Sequence, residues 1–438
     1  MSDLRIAVVG MAGRFPDADS VENLFENCLK GIVSIKRYND DELIEAGIKK
    51  KNIEHENYIK YGSFIKDIDK FDNTFFKMTQ LEASLIDPQQ RLFLKCSWEA
   101  LENANYSPEK YDGRIGVFSS SSLSTYLINN ILKSNYYRDK DFDYPTLIGN
   151  DKDFLSTRVS YKLGLSGPSI SLQCGCSSSL AAIHYACQSI KNNESDMAIA
   201  GGVSITVPQK MGYFYKEGGN FSKDGQVRAF DINASGMVKG NGCGVVILKA
   251  LSKAIEDHDY IYAVIDSSSI NNDGKNKVGY TAPSISGQTS VIKDSLYKSG
   301  IDYNKIRYIE AHGTGTRLGD PIEMKALSNA YKINNKNKII VGSVKSNIGH
   351  LDAAAGVTGF IKASMILNKG VIPKSVNFKS PNPQINFDKI PFRVESKENI
   401  KLNKSDKNYV AVSSLGIGGT NVHIILEDFR NNKSDKLQ

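Results

Sequence analysis

The sequence predicts an α/β fold whose reactive residues follow the ends of β-strands. Three stretches of the chain support this prediction. A strand-like run at residues 168–172 leads into a helical pattern of apolar residues from Leu180 to Ile190. Two further strand patterns, at residues 307–310 and 339–344, each end in a polar loop that contains a histidine. Since α/β proteins place their chemistry at the carboxyl ends of strands, these loops form the candidate site.

The N-terminal segment MSDLRIAVVG reads as the first strand. Its apolar run is too short for a secretory signal peptide, and the segment carries charges at Asp3 and Arg5. No apolar run in the 438 residues approaches the length of a membrane span. The sequence therefore predicts a cytoplasmic protein that does not bind membranes.

Composition favours a large core and argues against several classes of function. The chain is 40% apolar, and its net charge of +7 comes from lysines scattered among asparagines and acidic residues. We therefore expect no nucleic-acid binding and a weak bias toward acidic carrier proteins. The six cysteines show no metal-ligand spacing with histidine, so we expect reduced thiols and no metal site.

The stretch LQCGCSSSL, residues 172–180, places Cys176 at the turn between strand and helix. Unpaired N–H groups at a helix start carry partial positive charge, which lowers the pKa of a thiol and can hold an oxyanion. This position is suited to a reactive thiolate. A buried structural cysteine is the alternative, and Cys176 taken alone does not separate the two.

Two histidine motifs add to this pattern. The sequence EAHGTGT, residues 310–316, follows one strand pattern, and KSNIGH, residues 345–350, follows the other. A lone histidine is more often a core residue than a functional one. Here Cys176, His312, Lys345 and His350 all occupy strand-end loops, and together they favour a catalytic site.

These motifs resemble those of the β-ketoacyl synthase family, specifically the ketosynthase domains of modular polyketide synthases. The resemblance runs from Arg5 to about Glu427. Besides the three catalytic segments it includes VGMAGRFP (residues 9–16), DPQQRL (87–92), AGGV (200–203), SKDG (222–225), NNDG (271–274), GDPIE (319–323) and SSLGIGGTN (413–421). Chance agreement at so many spaced motifs is negligible.

The resemblance implies a thiolase-like fold with two similar halves in a layered αβαβα arrangement. Residues 1–438 would form one ketosynthase unit, with halves at about 1–255 and 256–428 and a polar tail at 429–438. It also implies a homodimer that binds no cofactor itself. The phosphopantetheine would arrive on an acyl or peptidyl carrier protein, and an acyltransferase would act in trans or elsewhere in the synthase.

The chemistry that the resemblance implies is a decarboxylative Claisen condensation. Cys176 would accept an acyl chain from a carrier-bound thioester. His312 and His350, as neutral imidazoles, would donate Nε2–H bonds to the malonyl thioester oxygen as carbon dioxide departs. A helix pattern at residues 351–367 follows His350, and its positive end would help to keep that imidazole neutral.

Supporting roles follow from the same resemblance. Lys345 and Glu323 would form a pair that organises the site without transferring protons. The backbone N–H of Ile417 would complete an oxyanion hole with that of Cys176, and Leu415 would stand at the gate of the acyl pocket. The residues implied in binding phosphopantetheine or substrate are Thr314, Thr316, Asn347, Leu415 and Ile417.

Several positions depart from the family pattern. Residues 173–175 read Gln-Cys-Gly where Asp-Thr-Ala is usual, and Leu415 and Ile417 stand where many relatives carry gating aromatic residues. Without the aromatic rings, we expect a wider entrance to Cys176. Gln173 and the segments 213–219 and 277–283 resemble ketosynthases found beside nonribosomal peptide modules, which indicates a hybrid polyketide and peptide subtype.

The sequence thus predicts an elongating β-ketoacyl synthase, an acyltransferase of polyketide or hybrid polyketide-peptide biosynthesis. A gatekeeping ketosynthase that transfers chains without extending them would usually lack the histidine that is His312 here. A silent docking or chain-length partner protein would not need Cys176, Lys345 and His350. A degradative thiolase would need a second cysteine late in the chain, and none follows Cys243.

Overall fold

The structure is a computed structural model that describes residues 5–135, 143–331, 338–403 and 405–429. Apart from residue 429, the predicted polar tail lies outside the described residues. The strands are β1 (Ile6–Arg14), β2 (Lys36–Arg37), β3 (Tyr58–Ile59), β4 (Tyr61–Gly62), β5 (Ile115–Ser119), β6 (Ser169–Ser171), β7 (Met197–Ser204), β8 (Tyr213–Phe214), β9 (Gly242–Ala250), β10 (Ala263–Asn272), β11 (Ile306–Glu310), β12 (Ile339–Gly342), β13 (Val371–Ile372), β14 (Phe392–Arg393), β15 (Ile400–Lys401), β16 (Tyr409–Leu415) and β17 (Thr420–Glu427).

The α-helices range from one turn to four turns. They are α1 (Val21–Lys30), α2 (Asp40–Glu45), α3 (Lys50–Ile53), α4 (Gln80–Leu85), α5 (Pro88–Asn103), α6 (Tyr144–Asn150), α7 (Phe154–Leu163), α8 (Ser178–Lys191), α9 (Leu251–Glu256), α10 (Ile285–Ser299), α11 (Gly319–Ala330), α12 (Lys345–Ile348) and α13 (Ala355–Lys369). Across the described residues, no helix combines the length and the apolar character needed to span a bilayer.

Within the described residues, eleven strands join in one sheet in the order β14-β12-β11-β16-β17-β10-β1-β9-β7-β5-β6. Its two halves meet where β1 pairs antiparallel with β10. Outward from this junction the first half runs β1-β9-β7-β5-β6 and the second β10-β17-β16-β11-β12. Each half has two antiparallel pairs followed by two parallel pairs, and β14 adds one further parallel pair at the outer edge of the second half. The predicted two similar halves are therefore confirmed.

Three apolar clusters show how the layers stack. Helices α8 and α13 share one core cluster with side chains from both halves of the sheet, such as Val246 and Val412, so these helices lie between the halves. Helices α5 and α7 cover the other face of the first half. Helices α10 and α11 cover the other face of the second half. The result is the predicted αβαβα order, with both faces of each half removed from water.

The predicted strands form close to their expected bounds and position the site. They correspond to β6, β11 and β12, and β12 ends two residues earlier than the sequence pattern indicates. In the first half β5 and β6 are parallel neighbours, and in the second half β11 and β12 are parallel neighbours. Their carboxyl ends therefore lie at the same edge, where the loops carrying Cys176, His312 and His350 begin.

The two central helices differ from their sequence patterns. The sequence predicts an amphipathic α8, but this helix is buried on nearly all sides because it lies in the middle layer. The sequence also predicts a helix at residues 351–367. The structure instead has a 3-10 turn at Asp352–Ala354, and the α-helix begins only at Ala355.

Candidate active site

Cys176 lies in the tight connection between β6 and α8. Gly175–Ser177 form a 3-10 turn, and α8 follows directly. Gly175 has a φ of 66°, a left-handed conformation that glycine adopts without strain. The hydroxyl of Ser178 accepts the N–H of Cys174 at 2.8 Å and so caps the turn. The turn holds the thiol of Cys176 at the helix start, with 8% of the residue exposed.

The sequence predicts a low pKa for this thiol, and that prediction is wrong. Burial raises the pKa of Cys176 to about 11, and the nearby carboxylate of Asp352 acts in the same direction. Lys345 and the backbone N–H groups of Ile417 and Cys176 lower the pKa, as expected at a helix start, but burial has the larger effect. Cys176 is therefore a neutral thiol at neutral pH.

The hairpin between β16 and β17 closes over Cys176. The hydroxyl of Ser414 donates to Cys176 O at 3.0 Å. The N–H of Gly416 donates to Thr420 O at 2.8 Å and sets the tight turn. A Cβ on Gly416 would stand 2.3 Å from Cys174 O, so a side chain does not fit there. The turn brings the N–H of Ile417 into a hydrogen bond that favours the charged form of the sulfur.

His312 follows β11, and the same hairpin holds its ring. The N–H of Leu415 donates to Nδ1 of His312 at 3.2 Å. Because Nδ1 accepts, the proton of the neutral imidazole lies on Nε2. Burial lowers the pKa of His312 well below its usual value, and Lys345 and His350 act in the same direction. His312 is thus a neutral ring with an Nε2–H donor.

His350 has the same tautomer. Its Nδ1 accepts the N–H of Asp352 at 2.9 Å, which leaves the ring proton on Nε2. Burial lowers its pKa to about 3, Lys345 adds to this effect, and Asp352 opposes it. The sequence attributes the neutral ring to a following helix start, but α13 begins only at Ala355, so burial is the cause. The rings of His350 and His312 lie edge to face, with centroids 5.6 Å apart.

Lys345 is a buried lysine that influences both histidines. Burial lowers its pKa, while Glu310 and Glu323 act in the opposite direction. The sequence predicts a direct pair of Lys345 with Glu323, but no such ion pair forms within the ranges that the structure describes. Glu323 instead accepts the N–H groups of His312 at 2.7 Å and Gly313 at 2.8 Å. Glu323 therefore fixes the His312 loop, whose N–H groups have left the strand ladder.

The two threonines of the HGTGT motif lie in a loop that Asp320 holds. Asp320 accepts the N–H groups of Gly315 at 3.1 Å and Phe230 at 2.7 Å, and burial raises its pKa to about 7. The hydroxyls of Thr314 and Thr316 are hydrogen-bonded to each other at 3.1 Å. Both side chains are partly exposed, so they lie at the surface of the loop.

Asn347 serves as an anchor in the structure. Its side chain is 4% exposed, and its Nδ2 donates to Ile32 O at 2.9 Å. Its backbone carbonyl accepts the N–H of Ser34 at 2.7 Å. The side-chain amide of Asn347 therefore links α12 to the segment after α1. This link is not the substrate-binding role that the sequence predicts.

The positions that depart from the family pattern surround Cys176. Ile417 is 46% exposed, and Leu415 is partly buried. Gln173 is exposed, and Cys174 is partly buried. The hydroxyl of Ser177 donates to Cys174 O at 3.0 Å. All of these side chains lie on the turn or on the hairpin that closes over it.

Sequence reasoning missed Asp352. Its Oδ1 lies 3.9 Å from Sγ of Cys176, and its Oδ2 accepts the hydroxyl of Ser122 at 2.7 Å. The available signal was a lone acidic residue in the apolar run LDAAAG, two positions after His350. That signal is weak, since only the fold brings residues 176 and 352 together.

The chain matches three family models in succession. Residues 3–254 match the beta-ketoacyl synthase N-terminal domain, residues 262–379 the beta-ketoacyl synthase C-terminal domain, and residues 381–438 the ketoacyl-synthetase C-terminal extension. Together these matches extend over nearly the whole chain.

Curated relatives are longer polyketide synthases. The chain is 44% identical over 435 residues to a phenolphthiocerol/phthiocerol polyketide synthase protein of Mycobacterium tuberculosis, with 97% of this chain and 29% of that protein covered. It is 38% identical over 431 residues to polyketide synthase PksN of Bacillus subtilis, with 98% of this chain and 8% of that protein covered. The chain thus spans less than a third of the length of these relatives.

Solved structures show the same fold. Ketosynthase twelve from the bacillaene polyketide synthase of Bacillus amyloliquefaciens matches with a TM-score of 0.92 and 40% identity, covering 98% of this chain and 76% of that chain. The ketosynthase from module 1 of the bacillaene synthase of Bacillus amyloliquefaciens FZB42 matches with a TM-score of 0.88 and 37% identity, with the same coverage of 98% and 76%. The thiolase-like fold is confirmed, and the chain belongs to the β-ketoacyl synthase family, as a ketosynthase domain of the polyketide synthase type.

Proposed function

We propose that this ketosynthase domain elongates acyl chains, by decarboxylative condensation of an acyl group on Cys176 with a malonyl-type extender on a carrier protein. The observation that carries the proposal is the shared tautomer of His312 and His350. Each Nδ1 accepts a backbone N–H, so each ring has an Nε2–H to donate. Two neutral donors beside a thiol are what stabilisation of an enolate requires.

Acylation begins with a neutral thiol. Cys176 gives its proton to solvent as its sulfur attacks the carbonyl carbon of the incoming thioester. The oxygen of the tetrahedral intermediate accepts the N–H groups of Cys176 and Ile417. When the intermediate collapses, the phosphopantetheine thiolate leaves and takes up a proton. The products are acyl-Cys176 and a free carrier thiol.

Condensation uses the two histidines. The thioester oxygen of the bound malonyl group accepts the Nε2–H bonds of His312 and His350. As the carbon–carbon bond to the carboxylate breaks, its electron pair forms the enolate, and carbon dioxide leaves. The enolate carbon then attacks the acyl carbonyl on Cys176. Collapse of that intermediate gives the β-ketoacyl carrier thioester, and the thiolate of Cys176 takes up a proton.

Lys345 and Glu323 organise the site in this proposal. Lys345 is buried and helps to keep both imidazoles neutral, since its charge lowers both pKa values. Glu323 holds the backbone of the His312 loop. Thr314 and Thr316 would donate to the phosphopantetheine arm, supported by their partial exposure in the same loop. Neither Lys345 nor Glu323 transfers a proton to substrate.

Carrier proteins, acyl or peptidyl, bring both substrates on phosphopantetheine, and an acyltransferase charges the extender. We also propose a homodimer, for which the edge strand β6 is suited because Ile170 on it is 47% exposed. The halves would divide near residues 255 and 256, where α9 ends and the chain crosses to β10. The hybrid polyketide and peptide subtype rests on Gln173 and stays a proposal.

The test is a reconstituted condensation. The protein is incubated with an acyl pantetheine thioester and then with a malonyl-loaded carrier protein, and the carrier is analysed by mass spectrometry. A carrier-bound β-ketoacyl product supports elongation. Transfer of the unextended acyl group to the carrier would instead support the gatekeeping alternative. Absence of both would contradict the proposal, provided that the parent protein is folded.

A further inference from the structure

Asp352 lies beside Cys176 and begins a chain of polar side chains that the proposed condensation does not use. Oδ1 of Asp352 lies 3.9 Å from Sγ of Cys176. Oδ2 of the same carboxylate accepts the hydroxyl of Ser122 at 2.7 Å, and that hydroxyl is 2.9 Å from the hydroxyl of Ser204. We call Asp352, Ser122 and Ser204 the polar wall.

The carboxylate of the polar wall is open and held in place. Asp352 is exposed although its neighbours Leu351 and Ala353 are buried. It has a φ of 45°, which is uncommon for a residue other than glycine. Its backbone N–H donates to Nδ1 of His350, and its Oδ2 accepts the hydroxyl of Ser122. A left-handed conformation of a residue other than glycine persists only where surrounding contacts hold it, and such residues cluster at functional sites.

Oδ1 of Asp352 loses a partner when Cys176 is acylated. Sγ of the free thiol lies 3.9 Å from Oδ1 and has a proton to donate, whereas the acylated sulfur has none. In the proposed acyl enzyme the thioester oxygen is taken by the N–H groups of Cys176 and Ile417. Oδ1 then faces the first carbons of the acyl chain, since these are attached directly to the sulfur.

The charge on Asp352 makes the site selective for the groups on the first carbons of the acyl chain. A purely aliphatic chain displaces water from the carboxylate and offers no hydrogen bond in return, which is costly for a charged acceptor. A chain with a hydroxyl or an amide N–H on its second or third carbon donates to Oδ1 and replaces the lost water. A site built to bind such a donor discriminates against the analogue that lacks it.

We propose that Asp352 is a specificity-determining residue that selects acyl chains with a hydrogen-bond donor on the second or third carbon. Ser122 is a positioning residue that holds the carboxylate toward the sulfur. This inference rests on the proposed function, because it requires the acyl chain to reside on Cys176. It names the substrate class of that site, which the condensation chemistry does not determine.

The experiment compares 3-hydroxybutyryl and butyryl pantetheine thioesters. The rate constant kcat/KM for acylation of Cys176 is measured for each by intact-mass spectrometry, and the selectivity is their ratio. In the parent protein we expect a ratio of about ten in favour of the hydroxyacyl chain, as for a hydrogen bond to a partly open charged group. Asp352→Asn keeps the shape and tolerates the same backbone, and we expect it to bring the ratio close to one. Ser122→Ala should lower the ratio in part.

A matched control is Asp67→Asn. Asp67 also has a left-handed backbone, with a φ of 56°, but it is exposed and paired with Lys70. We expect this variant to keep the parent ratio. A parent ratio of one, or an equal loss for both thioesters in Asp352→Asn, would overturn the inference, the latter because Asp352 would then act on the thiol. Either outcome leaves the proposed function standing as long as acylation and condensation occur in the parent.

Discussion

The two halves of the sheet share one topology and carry different residues at equivalent places. The third strand of the first half, β6, is followed by Cys176, and the third strand of the second half, β12, leads to His350. The second strand of the second half, β11, is followed by His312, whereas β5 is followed by serines. Topology therefore determines where the strand-end loops meet, and the side chains determine which reactive group each half contributes.

Burial shifts the pKa values of the two halves in opposite directions, and both shifts favour the neutral form. It raises the pKa of Cys176 to about 11 in the first half. It lowers the pKa of His350 to about 3 in the second half. In both cases the neutral form is favoured, because a low-dielectric site disfavours charge of either sign. The first half thus holds a neutral thiol and the second half holds neutral imidazoles.

The difference between the halves requires that the first half carries the acyl chain, on Cys176. We expect one acyl adduct on the parent protein after incubation with an acyl thioester, and none on Cys176→Ala, because Cys176 lies beside two backbone N–H donors. Intact-mass spectrometry measures the adduct. Cys174→Ala is the matched control and should keep it. An adduct that persists in Cys176→Ala, for instance on Cys174, would refute the assignment.

The second half should act mainly after acylation. We expect His312→Ala and His350→Ala to retain some self-acylation but to lose malonyl decarboxylation and product. For each variant the activation free energy should rise by on the order of 3 kcal/mol or more, the effect of removing one oxyanion donor. Carbon dioxide release and product mass report it. Unchanged condensation in either variant would show that the two halves do not divide the reaction in this way.

The opposite pKa shifts predict different pH profiles. Since the thiol of Cys176 has a pKa of about 11, the thiolate fraction and the rate of alkylation by iodoacetamide should rise roughly tenfold per pH unit from pH 7 to pH 10. His350 has a pKa of about 3, so protonation of this ring should cause no loss of decarboxylation between pH 7 and pH 5. An alkylation rate that levels off near pH 8 would contradict the raised thiol pKa.

The β16–β17 hairpin of the second half contacts Cys176 of the first half and leaves no room for a side chain at Gly416. A Cβ there would stand 2.3 Å from Cys174 O and 2.7 Å from Oγ of Ser177. We expect Gly416→Ala to lower the free energy of unfolding by about 1–3 kcal/mol, as overpacking does, and to slow acylation by displacing the N–H of Ile417. Thermal denaturation and acylation rates measure the two effects. Gly279→Ala, at a glycine with open space around it, is the control.

The smallest effect is expected at Leu415. Its N–H holds His312, and that contact survives any side-chain change at the position. The Leu side chain lacks the flat ring of an aromatic gate, so Leu415→Phe should narrow the entrance and slow acylation by bulky thioesters a few-fold relative to short ones. The measurement is the acylation rate of the parent and of Leu415→Phe with bulky and with short thioesters. If the Phe variant accepts bulky chains equally well, position 415 is not the selectivity gate.

Local patterns in the sequence were enough to predict the family, the fold class and the strand-end loops of the site. The β-strand patterns before Cys176, His312 and His350 are local signals, because strand propensity and strand ends depend on neighbouring residues. The motifs of the family are equally local. Their residue types at those spacings were enough to predict a two-half α/β fold and the division of chemistry among three loops.

The electrostatics and the hydrogen-bond partners of these residues depend on contacts between distant segments of the chain. The sign of the pKa shift of Cys176 depends on burial by segments far along the chain, which a helix start in isolation does not report. The contacts of Glu323 with the His312 loop, of Asn347 with Ile32 and of Asp352 with Cys176 likewise join distant residues. Spacing along the chain carries little information about such contacts, since packing of the layers creates them.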